Sequence, residues 1–298
     1  MMQETGRLFV VAMPIGNMED ITLRALRTLA SADVVAAEDT RVIRRHLAHH
    51  DIKGSLISYH DFNEAERTPQ LIRRLIDGEA IALVSNAGTP SVSDPGYRLI
   101  KAAVDRKIPV IPVPGVSAVT AALSVSALPT DAFVFVGFLP KKKTQRMKEL
   151  EALATDRRTI VFYESPKRIV SLLEELACIF GSRHGVLARE MTKPHEEFLR
   201  GSLSDMQALL EGRSTIKGEF TLLVSGAADP PAVSMEAVKE DLERLLASEA
   251  NSFSDAVKTT SKKYGLPRKQ IYRQALKLKS SEPERPQRHK ATKKRPKV

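Results

Sequence analysis

The chain has 298 residues, of which 42% are hydrophobic and 28% charged, with a formal net charge of +10. That length predicts two domains and an appendage, and no uninterrupted apolar stretch is long enough to cross a bilayer. The one cysteine, Cys178, excludes an intramolecular disulfide framework, and its helical neighbours Leu172, Leu173, Leu176 and Ala177 predict a buried small hydrophobe.

The opening residues, MMQETGRL, contain no apolar signal core, so a cytosolic protein is expected. Residues 8–13 read as a first strand, followed by the turn Pro14-Ile15-Gly16-Asn17. A helix is expected from near Asp20, with Leu23, Leu26 and Leu29 on its apolar side. Residues 33–37 form a second short strand that ends in Glu38-Asp39-Thr40-Arg41. The basic helix after it carries His46, His49 and His50 near its end, beside Asp51. No H-E-x-x-H or Cys/His spacing supports a metal there, and histidines in a last turn suit the helix dipole. Strand 56–58 leads into the polar loop Tyr59-His60-Asp61-Phe62-Asn63-Glu64, and Leu71, Ile72, Leu75 and Ile76 then recur at helical spacing.

Residues 81–98 read IALVSNAGTPSVSDPGYR. The apolar run 81–84 is that of a strand buried on both faces of a parallel sheet. Small residues follow, and Asp94 then Pro95 have the chemistry of an N-cap and a first helical residue. A buried strand that ends in a small-residue loop and a new helix is where open α/β sheets bind ligands, through exposed backbone groups. Strand 110–113 runs into a second such loop, Pro114-Gly115-Val116-Ser117, before the helical pattern of 118–123. This alternation makes a largely parallel α/β domain over residues 1–138.

A second α/β domain is expected over 139–228, with strands at 159–163, 185–188 and 220–224 and a helix at 169–180. Residues 227–231 read as a linker. Amphipathic segments then follow around Val238, Leu242, Leu245 and Leu246, at 254–263 and at 268–278. The last two flank the turn Tyr264-Gly265-Leu266-Pro267, a helix–turn–helix pattern known in small nucleic-acid-binding modules. They make a helical domain over 235–279, followed by a disordered basic tail at 280–298. The charge is clustered in that tail and at Lys141, Lys142, Lys143, Arg146 and Lys148, which points to a polyanionic partner, nucleic acid.

There is no G-x-G-x-x-G after the first strand, no G-x-x-x-x-G-K-[ST] and no nucleophile elbow. What remains is a set of short loops at strand ends. In order, VVAMPIGNMEDIT, AEDTR, SYHDFNE, VSNAGTPSVSDPG, PVPGVSA, GFLP, FYESPKRI, LAREMTKPHEE and KGEFTLLVSG resemble the bacterial small-subunit ribosomal RNA cytidine 2′-O-methyltransferases, within the tetrapyrrole-methylase superfamily. The resemblance covers residues 7–226, and more loosely 235–279.

The resemblance implies two α/β domains with S-adenosylmethionine in the cleft between them, a small C-terminal helical domain for substrate docking, and a homodimer. It implies methylation of a cytidine 2′-hydroxyl in the decoding region of 16S ribosomal RNA, in the free RNA or the small ribosomal subunit. By motif, the cofactor should touch Pro14, Ile15, Gly16, Ser85, Asn86, Ala87, Gly88, Pro114, Gly115, Val116, Ser117, Ala118, Tyr163, Glu164, Ser165, Ala188, Arg189 and Glu190. Three positions depart from the family pattern: Asn86 stands in place of the usual aspartate, Lys167 in place of a common histidine, and Ala127 in place of a common glycine.

The transfer requires a ribose oxygen held in line with the methyl carbon and a group to accept its proton. Asp39, His60 and Glu64 are the candidates for that group. RNA contacts are expected from Arg41, Lys141, Lys142, Lys143, Lys167, Arg168, Arg268, Lys269 and Arg273, with bases stacking on Tyr59 or Phe62. Two other readings remain: a small-molecule (tetrapyrrole) methyltransferase on the same fold, and a non-catalytic RNA-binding protein.

Overall fold

The computed structural model describes residues 6–228, 234–248 and 251–280. The linker at 229–231 and the basic stretch from 281 lie outside them. The chain divides into two compact units, 1–227 and 228–298.

The first unit holds two sheets. In one, β1 (Arg7–Val11), β2 (Val34–Ala37), β3 (Leu56–Ser58), β4 (Ala80–Val84) and β5 (Val110–Val113) pair in the order β3-β2-β4-β1-β5, all parallel. The period-two alternation of β4 explains why it is apolar throughout. Ile81 and Leu83 face a core with Leu71, Leu75 and Leu99, from α3 (Glu64–Ile76) and α4 (Tyr97–Asp105). Ala82 and Val84 face the opposite core, with Leu29 and Ile43 from α1 (Leu23–Ser31) and α2 (Thr40–His49). Both faces are covered, as a parallel sheet requires.

The other sheet runs β6-β7-β10-β8-β9, built from β6 (Phe133–Phe138), β7 (Thr159–Glu164), β8 (His184–Arg189), β9 (Glu197–Ser202) and β10 (Phe220–Val224). Only β6 and β7 are parallel; the remaining pairs are antiparallel. One face packs on α6 (Lys143–Leu153), α7 (Ile169–Phe180) and α8 (Leu203–Glu211) through Leu150, Leu172, Leu176, Leu203 and Met206. The other receives α5 (Ala118–Val125): Val119, Ala122 and Leu123 pack on Val161, Val186, Ala188 and Leu223. Thus α5 follows the last strand of the first sheet yet seats on the second, which joins the two lobes.

Several expectations need correction. A boundary at 138 assigns β6 to the first lobe, whereas β6 hydrogen-bonds to β7 of the second sheet. The first helix starts at Leu23 behind the N-cap Thr22, and Leu23 is exposed because the buried stripe is Ala25, Thr28 and Leu29. Asp94 and Pro95 do not open α4; its N-cap is Gly96 at φ +142°, where a Cβ would lie 3.0 Å from Leu83 Cδ2. Cys178 is exposed, since Leu172, Leu173 and Leu176 point the buried stripe of α7 elsewhere. Tyr59 is buried in the first core with its hydroxyl 3.0 Å from that of Thr68.

The second unit is a three-helix cluster of α9 (Met235–Ala247), α10 (Phe253–Tyr264) and α11 (Arg268–Ser280). Val238, Leu242, Ala256, Val257, Ile271 and Ala275 form its core. Gly265, left-handed at φ +64°, ends α10. Lys263 and Tyr264 both reach Asp241, while Lys258, Lys262, Arg268, Lys269 and Arg273 are exposed. No helix among the described residues is long and apolar enough to cross a membrane.

Candidate active site

Because β1 and β4 are adjacent and parallel, the loops at their carboxyl ends meet. Met13 and Gly88 exchange two backbone hydrogen bonds, of 2.8 and 2.9 Å, and Gly88 takes the left-handed conformation at φ +67°. Ser85 is buried and donates its hydroxyl to the Ala87 carbonyl at 2.9 Å. Asn86 ties β4 to β2: its N–H donates to Glu38 Oε2 and its Oδ1 accepts from the Asp39 N–H, each at 3.1 Å. An aspartate could accept the same bond but would add a second charge beside Glu38.

These loops form one wall of a cavity of about 330 Å³, within the range of small-molecule sites. The first lobe contributes Ile15, Ala87, Gly88, Thr89, Val92, Ser93 and Asp94. Ser117 and Ala118, at the start of α5, add to it. The second lobe contributes Phe138, Tyr163, Glu164, Ser165, Pro166, Gly218, Glu219, Phe220 and Thr221. Ile15, Val92, Phe138 and Phe220 give apolar surface for a flat base, and Ser117 offers a hydroxyl that makes no cap bond to its own helix. This donor set fits a nucleoside joined to an amino acid, as S-adenosylmethionine is.

Three carboxyls line the cavity, and two are committed. Glu164 is buried; its Oε1 accepts from the Ser165 N–H at 2.7 Å, and its Oε2 lies 3.0 Å from an Arg168 nitrogen. Glu219 pairs with Lys193 at 3.0 Å. Asp94 has no cationic partner among the described residues; burial, with Glu38 and Asp61 nearby, raises its carboxyl to about 6 despite the Ser85 hydroxyl. Burial and the Asp94 charge together push the Tyr163 phenol up to about 12.

Of the expected cofactor residues, Ile15, Ala87, Gly88, Ser117, Ala118, Tyr163, Glu164 and Ser165 line this cavity. Others support it from behind. A Cβ on Gly16 would fall 2.5 Å from Lys193 Cγ and 2.7 Å from Thr192 Oγ1, so that turn closes the seam between the lobes. The Asn17 N–H donates to Thr192 Oγ1 at 3.0 Å across the same seam. Gly115 lies against Ala12, with a Cβ 3.0 Å from that of Ala12. Pro114, Val116, Ser85 and Asn86 are absent from the lining. Ala188 belongs to the core under α5, and Arg189 pairs with Glu197. Glu190 accepts from the Glu219 N–H at 2.9 Å and so braces the wall at 218–219.

The three proton-acceptor candidates are outside the lining. Asp39 caps α2 and is gripped by Arg41, whose side chain holds the carboxyl well below the usual carboxylate range. Glu64 pairs with Arg98 at 3.1 Å. His60 has a buried Nδ1 with no hydrogen-bond partner, and its Nε2 sits 3.3 Å from Asn63 Nδ2. Among the basic residues, Lys141, Lys142, Lys143 and Lys167 are exposed. Arg146 is instead buried in a two-pronged pair with Glu175, at 2.7 and 2.8 Å. Arg168 is taken by Glu164 and by the Leu139 carbonyl. Among the described residues no group of three or more His, Cys, Asp or Glu could hold a metal, the histidines of α2 included. The lining residues outside the expectation, Asp94, Phe138 and 218–221 among them, all lie inside the motifs VSNAGTPSVSDPG, GFLP, FYESPKRI and KGEFTLLVSG.

Residues 7–207 match the family described as Tetrapyrrole (Corrin/Porphyrin) Methylases. The ribosomal RNA small subunit methyltransferase I of Halalkalibacterium halodurans is 44% identical over 274 residues, 90% of this chain and 94% of its own. That of Mesorhizobium japonicum is 45% identical over 280 residues, 92% of each chain. Among solved structures, the methyltransferase CobJ superposes with a TM-score of 0.58 at 20% identity, over 76% of this chain and 97% of its own. Uroporphyrin-III C-methyl transferase of Thermus thermophilus, complexed with S-adenyl homocysteine, gives 0.53 at 20% identity, over 74% of this chain and 97% of its own. At that identity the likeness is one of fold.

Proposed function

Since the chain belongs to the tetrapyrrole methylase family, we propose that it transfers the methyl group of S-adenosylmethionine to the 2′-hydroxyl of a cytidine in the decoding region of 16S ribosomal RNA. It is a methyltransferase with S-adenosylmethionine as cofactor. The observation that carries the choice of substrate is one of coverage. The tetrapyrrole enzymes are matched along 97% of their length yet cover only about three-quarters of this chain, whereas the ribosomal RNA enzymes match 90% or more of it. A helical unit with an exposed basic surface is therefore what this chain has beyond the tetrapyrrole fold, and a polyanion is what that surface suits.

When bound, the cofactor supplies an activated methyl on a positively charged sulfur. The chain's own residues position and enclose. Ile15, Val92, Phe138 and Phe220 give the cavity apolar walls, and Ser117 offers a hydroxyl for orientation. The Gly88 loop, pinned to Met13 by two backbone bonds, fixes the wall. Lys141, Lys142, Lys143 and Lys167 take RNA phosphates, as do Arg268, Lys269 and Arg273 of the helical unit. Arg41 adds another cation, exposed and with a guanidinium nitrogen left over from Asp39. Phe62, 98% exposed, is the aromatic available for stacking a splayed base; Tyr59, in the core, is not. The active form is a homodimer working in the cytoplasm on the small ribosomal subunit or its RNA.

The test is to incubate the protein and S-adenosylmethionine with small-subunit RNA, assembled small subunits and uroporphyrinogen, then map ribose methylation by nucleotide. A 2′-O-methylcytidine in the decoding region is expected. Transfer to uroporphyrinogen without transfer to RNA would overturn the reading.

A further inference from the structure

Of the carboxyls that line the cavity, Glu164 and Glu219 are each paired with a cation, Glu164 with Arg168 and Glu219 with Lys193. Asp94 projects from the loop between β4 and α4 and meets no cation among the described residues. Glu38 faces it from the end of β2, Asp61 from the loop after β3, and the Ser85 hydroxyl from the end of β4. Tyr163, across the cavity on β7, also feels its charge. Arg41 pairs with Asp39, and Arg98 pairs with Glu64. Two of the carboxylates in the region, Glu38 and Asp61, lie outside the lining. Asp94 is thus the one carboxyl of the lining with no cation paired to it among the described residues.

We propose that Asp94 accepts the proton of the attacking hydroxyl during methyl transfer. The inference rests on the function proposed above. As the ribose oxygen bonds to the methyl carbon, the bond from that carbon to sulfur breaks with its electron pair staying on sulfur. The hydroxyl proton passes to an Asp94 carboxylate oxygen and from there to water. A carboxyl raised to about 6 is mostly ionised at neutral pH, yet more basic than an ordinary aspartate, which is the compromise that general-base catalysis favours. The charges of Glu38 and Asp61 beside it would add to the negative potential offered to a positively charged sulfur.

The experiment compares the full chain with Asp94→Asn and Asp94→Glu. Three quantities are read: single-turnover methylation of small-subunit RNA from pH 5 to 9, S-adenosylhomocysteine affinity by calorimetry, and carboxyl titration by carbon NMR in the protein alone. The wild-type rate should fall about tenfold per pH unit below roughly pH 6. Asp94→Asn should lose on the order of 10² or more in rate and lose that acid limb, with S-adenosylhomocysteine affinity kept within about threefold. Asp94→Glu should retain part of the rate and an acid limb. A wild-type rate in Asp94→Asn, an acid limb that survives in it, or a parallel loss of cofactor affinity would overturn the assignment. An Asp94 carboxyl titrating near the ordinary aspartate value would overturn it without any turnover. Absence of RNA methylation by the wild type would instead sink the function proposed above, and the NMR titration separates the two failures.

Discussion

Replacing Asp94 by asparagine should stabilise the protein, increasingly so as the pH rises. In the folded chain the carboxyl is raised from its ordinary 3.8 to about 6, burial being the larger cause and the Glu38 charge the next. The folded state therefore holds a proton that the unfolded chain releases between those values. By linkage, stability falls as pH climbs through this window, and the full penalty is present above it. A shift of about 2 units, at 1.36 kcal/mol per unit, sets a ceiling of about 3 kcal/mol, lowered by the water that reaches a half-buried group. Asparagine cannot ionise, so it removes the penalty while keeping nearly the same volume. Urea unfolding of both proteins, followed by far-ultraviolet circular dichroism from about pH 4 to 8, gives the difference at each pH. The advantage of the variant should grow by about 1–2 kcal/mol across the range and level off above roughly pH 7. A pH-independent difference, or one that shrinks as pH rises, would refute the buried-carboxylate account. Stability gained where activity is lost is the trade expected of a residue kept for function.

Three further outcomes are expected. Ala127 holds a left-handed conformation at φ +58°, so Ala127→Gly should raise stability by about 1 kcal/mol, and an unchanged or lower unfolding midpoint would count against strain there. Gly88→Val and Gly115→Val should fail differently. The first forces a β-branched residue to φ +67° in the cavity wall and should weaken S-adenosylhomocysteine binding on the order of tenfold or more, with the fold retained. The second wedges a side chain against Ala12 and should cost about 1–3 kcal/mol of stability with affinity kept, so the reverse pattern in calorimetry would refute this division. Ending the chain at residue 228 removes the helical unit but neither lobe, so S-adenosylhomocysteine binding should persist while RNA methylation falls about tenfold or more at physiological salt; equal methylation would deny the unit a docking role.

What was legible in the sequence was the backbone, and the reason is physical. Residues 81–84 are apolar at every position because both faces of β4 are covered, and the small residues after them are needed where Gly88 bonds to Met13. Such features are dictated locally and survive in composition. The antiparallel edge strand β9 left a weaker trace, since an edge half open to water need not be apolar: residues 197–202 are only partly buried, apart from the exposed Arg200. The partners of polar side chains left none. Arg146 and Lys143 read alike as basic residues, but the turn of α6 sends Arg146 inward to Glu175 and leaves Lys143 in water. Asp39 and Asp94 likewise read alike, each an aspartate where a strand gives way to a helix. Arg41, two residues on, curls back onto Asp39, whereas Gly96, two residues after Asp94, has no side chain to return and takes the cap itself. A carboxylate becomes a base by what fails to reach it. That depends on residues brought from β2, the loop after β3 and the second sheet, whose separations along the chain give no hint of their meeting. The identity of the base was thus decided by tertiary contacts, even though the loop that carries it was plain from the sequence.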